Sequence, residues 1–148
     1  MALIDAHIIP GYRVASGQAG DSRFPNGTIM MQAPHFADRG LDINSYFSAT
    51  INVTIAPFQF KILKPAHHFI KVKWSKHLPT EDFYFFDLIA TYNGTQHRGL
   101  VYMPDPNTKI DHIQASDTLE LLLPKIEGIQ YHRPITLRLN DDQLSLST

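Results

Sequence analysis

The sequence predicts an all-β domain, a sandwich or a barrel, with one or two short helices. Three observations carry that expectation. Residues 47–55, Phe-Ser-Ala-Thr-Ile-Asn-Val-Thr-Ile, alternate apolar and polar as a strand with one buried face does. Asn93-Gly94 stands between two aromatic and β-branched runs, the strongest short-range signal for a hairpin, because both turn residues must accept positive φ. No stretch offers the long helical crossover that parallel strands need.

The chain has 148 residues and is 43% hydrophobic, enough to bury a core as one domain spanning 1–148. Its 13 Lys and Arg are balanced by 14 Asp and Glu, which argues against a nucleic-acid binder with its usual basic excess. There is no cysteine, so disulfides, thiolate metal sites and cysteine nucleophiles are excluded. The first residues lack the basic and apolar regions of a signal peptide. No run reaches transmembrane length, so a cytoplasmic location with no membrane partner is expected.

Taken in order, His7 to Ala15 reads as a strand interrupted by Pro10-Gly11, followed by a loop of small residues, Ser16 to Ser22. Phe24-Pro25-Asn26-Gly27 is a turn signal. Thr28 to Gln32 reads as a short strand, and Pro34 to Tyr46 as a short, imperfect helix broken near Gly40. In the central strand Ile51, Val53 and Ile55 face one side and Thr50, Asn52 and Thr54 the other. Phe58 to Leu63 alternates again, Pro65 to His68 reads as a turn, and Phe69 to Trp74 puts Ile70, Val72 and Trp74 on one face. Phe83 to Tyr92 and Thr95 to Met103 form the hairpin, and a two-residue loop pairs Tyr92 with Thr95 and Phe86 with Val101. Leu119 to Leu123 and Pro134 to Leu139 are the last strands, and the polar tail, 139–148, is expected to fray.

Several chemistries are missing. Gly17-Gln18-Ala19-Gly20 is not followed by the Gly-Lys-Ser/Thr of a phosphate-binding P-loop. Ser16 lacks the glycine two places before it that a hydrolase nucleophile elbow carries. The eight histidines are scattered, and the adjacent His67 and His68 would point to opposite faces of a strand. A mouth of histidines gathered from distant strands stays open as one reading. Two positive features remain. The small residues around Gly17 and Gly20 let backbone N–H groups approach an anion, although a plain turn is the commoner use of such a loop. Thr50 and Asn52 place two oxygen-bearing side chains on one strand face, where they can hold a hard cation or simply meet solvent.

Three short motifs resemble the CTP-dependent riboflavin kinases, a mainly archaeal family. Gly11-Tyr12-Arg13-Val14-Ala15-Ser16-Gly17 is similar to the segment that leads into the family's phosphate-contacting loop, with Val14 one place later than usual and the second glycine, Gly20, one place late. Ala49-Thr50-Ile51-Asn52-Val53 resembles the family's Gly-Thr-Leu-Asn-Val, with Ala49 in place of glycine. Asp117-Thr118-Leu119-Glu120, ending at Pro124, is similar to its Asp-x-Leu-Glu-x-x-x-Pro segment. The resemblance implies a compact six-stranded cradle-loop β-barrel of the riboflavin-kinase type. It implies nucleotide contacts at Ser16, Gly17 and Gly20, Mg²⁺ held by Thr50 and Asn52, and flavin contacts at Glu120 and at either Thr108 or His112. Glu120 would also orient and deprotonate the ribityl hydroxyl. The partners implied are CTP and riboflavin. A barrel relative that binds a small ligand or a protein without catalysis is the alternative, favoured by the altered glycine loop and by Ala49.

Overall fold

The computed structural model describes residues 2–10, 28–107 and 116–148. The strands run in chain order as β1 (Ala2–Ile9), β2 (Ile51–Thr54), β3 (Gln59–Ile62), β4 (His67–Val72), β5 (Glu81–Tyr92), β6 (Thr95–Pro104), β7 (Thr118–Leu122), β8 (Pro134–Leu139) and β9 (Leu144–Ser147). Among the described residues one helix, α1 (Thr28–Ala37), lies between β1 and β2. Among these, β5, β6, β7, β2, β1 and β8 neighbour one another in that order, and β8 returns to pair with β5. The result is a closed six-stranded antiparallel barrel, as the all-β expectation requires. The arrangement β8-β5-β6-β7 is a Greek key: three successive neighbours and a fourth strand that comes back beside the first.

The long strand β5 makes closure possible. Its first half pairs with β4 and its second half, Leu88 to Thr91, pairs with β8. Alternation then sends its side chains into two cores. Phe86, Leu88, Ala90 and Tyr92 join Ile4, Ala6, Val53, Val101, Leu119, Leu121 and Leu137 inside the barrel. Phe83 and Phe85 point outward with Leu100, Tyr102 and Leu122, and α1 covers them through Ile29 and Phe36. Phe36 meets Phe83 and Phe85 edge-on, at 5.0 Å from each ring. Both geometries are favourable for aromatic pairs.

The hairpin forms in the expected register, Tyr92 opposite Thr95 and Phe86 opposite Val101. Asn93 and Gly94 have φ of 48° and 79°, as its two-residue loop demands. The central strand also follows its pattern: Val53 and Ile55 are fully buried, Ile51 packs against the barrel core, and Asn52 and Thr54 are half-buried on the outside.

Four expectations are corrected. Thr28 to Gln32 is the first half of α1, not a strand. Thr28, Ile29, Gln32 and Phe36 are its buried positions, and the polar Thr28 and Gln32 among them disguise the helical period. The helix stops where the sequence signalled, since Gly40 adopts φ 94° and the N–H groups of Gly40 and Leu41 donate to the carbonyls of Ala37 and Phe36, a Schellman cap. It therefore does not reach Tyr46. Second, His67 and His68 belong to β4 rather than a turn. Third, a register shift between Phe69 and Val72, with Lys71 at φ 53°, re-aims β4, so Ile70 is exposed while Val72 is buried. Fourth, the tail is not frayed: β9 pairs with β3, and Leu144 closes the barrel core. The first strand also begins earlier than expected, at Ala2, and runs to Ile9; the expected continuation from Gly11 to Ala15 lies outside the described residues. Among the described residues no helix is long and apolar enough to cross a membrane.

Candidate functional site

Strand parity decides what gathers outside the barrel. Leu119 and Leu121 of β7 point inward, so Glu120 between them points outward. On β2, Val53 points inward and Asn52 outward. The register of β2 with β7 sets Asn52 directly opposite Glu120. Thr50, just before β2, donates a hydrogen bond from its hydroxyl to Glu120 Oε1 at 3.0 Å. Thr50, Asn52 and Glu120, all half-buried, thus share one face. Two motifs whose hydrogen-bonded residues are 70 positions apart are brought together.

On its other side Glu120 lies opposite Tyr102 of β6. The Tyr102 hydroxyl donates to Gln32 Oε1 of α1 at 2.6 Å, and both side chains are buried. Burial pushes the Tyr102 phenol well above its ordinary value of 10.0, and the charges of Glu120 and then Glu81 push it the same way. Tyr102 is therefore a neutral donor at physiological pH. Sequence reasoning did not single out Tyr102, Gln32 or Glu81. Tyr102 alternates like any strand residue, and Gln32 sits in a stretch that reads as a strand.

A hydroxyl, a carboxamide and a carboxylate on one face are hard oxygen donors, the set Mg²⁺ prefers. His67 and His68 do point apart, as expected: His67 lies against Phe69 and Phe85, while His68 stacks on Tyr84 at 4.3 Å. Among the described residues no three His, Asp or Glu side chains gather where they could hold a metal. The candidate nucleotide residues Ser16, Gly17 and Gly20, and the alternative flavin residues Thr108 and His112, lie outside the described residues. Compared with known proteins, the chain matches no family model and no curated sequence.

Proposed function

We propose that the outer face at Thr50, Asn52 and Glu120 belongs to a cytoplasmic riboflavin kinase-like phosphotransferase, which transfers a phosphoryl group from CTP to riboflavin with Mg²⁺. The hydrogen bond between Thr50 and Glu120 carries this reading. These residues come from two motifs that resemble, separately, the metal side and the flavin side of the kinase family. Their contact is what a single site would require.

Phosphoryl transfer asks mainly for positioning and charge neutralisation. Thr50 and Asn52 would hold Mg²⁺, which when bound offsets the charge of the nucleotide phosphates. Thr50 commits its hydrogen to Glu120, which leaves its oxygen lone pairs to face a cation. The same bond restrains the Glu120 carboxylate. Glu120 accepts a hydrogen bond from the ribityl hydroxyl and takes its proton as the oxygen attacks the γ-phosphorus of CTP, whose bond to the β-phosphate oxygen breaks so that CDP leaves; the role needs hydrogen-bond reach. Ser16, Gly17 and Gly20 would contact the triphosphate, and Thr108 or His112 the flavin. A ligand-binding relative without catalysis is the second reading, favoured by Ala49 and by the late position of Gly20.

The test is calorimetric titration of CTP with and without Mg²⁺, followed by an assay for FMN from riboflavin. CTP affinity is expected to depend on Mg²⁺, and Asn52→Leu to abolish that dependence while the fold persists. Glu120→Gln is expected to slow FMN formation by about 100-fold or more, the usual worth of a positioned base. A parent that binds no CTP at millimolar concentration and makes no FMN ends the kinase reading. Binding without FMN leaves the ligand-binding relative.

A further inference from the structure

We infer that Gln32 and Tyr102 are positioning residues for Glu120: their hydrogen bond locks α1 against β6 and β7 and thereby holds the carboxylate in place. This rests on the kinase reading of Glu120. Neither residue touches a reacting atom. They act through the wall on which Glu120 stands.

Among the described residues the layer between α1 and the barrel is mostly apolar, built from Ile29, Phe36, Phe83, Phe85, Leu100 and Leu122, with Thr28 also buried on α1. Apolar packing is non-directional, so such a layer tolerates small displacements of a ten-residue helix. A buried polar pair does not tolerate them. The Tyr102 hydroxyl and the Gln32 amide are 3% and 2% exposed by residue, so breaking their bond strands two polar groups away from water. One placement of α1 is thereby specified. Tyr102 is also the residue directly opposite Glu120 in the β6–β7 ladder, and opposed residues stand with Cβ atoms about 4.5–5.5 Å apart. Glu120 thus has Tyr102 as its cross-strand neighbour on β6 and accepts the Thr50 hydrogen bond from the side of β2. A displacement of about 1 Å at a reacting group can cost on the order of 100-fold in rate, so a lock of this kind has work to do. The second carboxylate that acts on the phenol, Glu81, is 4% exposed. Burial first, and then the charges of Glu120 and Glu81, raise the Tyr102 phenol, so it stays protonated and donating.

The experiment compares Tyr102→Phe, Gln32→Met and the double variant with the parent. Each single variant leaves one buried polar group without its partner and loses stability for that reason alone. The double variant removes both groups, so most of that loss is expected to return, because replacing both partners by apolar groups is close to neutral. The lock itself stays absent. Melting temperature and steady-state kinetics with CTP, Mg²⁺ and riboflavin are measured at a temperature where circular dichroism shows every variant folded. The double variant is expected to melt nearer the parent than either single variant. Its kcat is expected to fall about tenfold, with the riboflavin KM changed less than twofold. A parental kcat overturns the inference. So does a loss of rate that follows only the fraction folded, or a rise in KM larger than the fall in kcat. Should the double variant not fold, Gln32→Met alone is judged by the same split of kcat against KM. A parent that makes no FMN ends the kinase reading and this inference with it. An active parent with an equally active double variant ends the inference alone.

Discussion

Replacing Gly99 by Ala tests how tightly β6 and β7 are joined beside the candidate site. Gly99 lies opposite Leu88 of β5, next to Leu100, whose partner on β7 is Leu122. A Cβ at position 99 would collide with the carbonyl oxygen of Leu122 and stand 2.6 Å from Leu123 Cδ2, well inside the 3.4–4 Å of ordinary contact. The leucine methyl has little room to retreat, because Leu123 is 1% exposed and packed in the barrel core. The carbonyl is backbone of a strand paired on both sides, with β6 and with β2. One strand must therefore shift. Overpacking a close-packed core costs about 1–3 kcal/mol, and a backbone obstacle belongs at the top of that range, about 3 kcal/mol. For a chain of this size each kcal/mol moves Tm by about 2–4 °C, so Gly99→Ala is expected to lower Tm by about 6–12 °C. Thermal unfolding followed by circular dichroism reads this directly. A Tm within about 2 °C of the parent would refute the argument that the close approach of β7 requires glycine here. Glu120 is two residues from Leu122, so on the proposed kinase reading the same variant is expected to lower FMN formation even where it is folded.

Two further outcomes follow from burial. Leu144→Ala removes a side chain that is 2% exposed in the barrel core, and is expected to cost about 2–4 kcal/mol in urea unfolding; an unchanged midpoint would mean that the C-terminal strand contributes nothing. Because the folded state raises the Tyr102 phenol above its ordinary 10.0, the unfolded chain releases this proton first as pH rises past 10, and stability falls from there with a slope of up to about 1.4 kcal/mol per pH unit. Below pH 10 that contribution is fully present. Tyr102→Phe is expected to flatten the alkaline slope whatever it does to stability at neutral pH, and parallel Tm–pH curves for parent and variant would count against a buried, neutral Tyr102.

What the sequence by itself determined is local. The alternation of Ile51, Val53 and Ile55 is written in a period of two, and a strand has no other way to use it. The register of the hairpin is set by Asn93-Gly94, since a two-residue loop leaves only one pairing for Tyr92 with Thr95 and for every pair beyond. Thr50, Asn52 and Glu120 could be singled out as residue types and through the family they resemble, but their meeting could not. The tertiary structure decided that, by the pairing of β2 with β7 across the chain. It decided also that Thr28 to Gln32 is helical, because Phe36 and Ile29 find the outer face of β5 to cover. The bulge that exposes Ile70 and the pairing of β9 with β3 depend on distant strands in the same way. The bond between Gln32 and Tyr102 has no signal in the chain at all. A hydrogen bond depends on two groups arriving at one place, and only the closed barrel, with its helix laid across it, brings these two there.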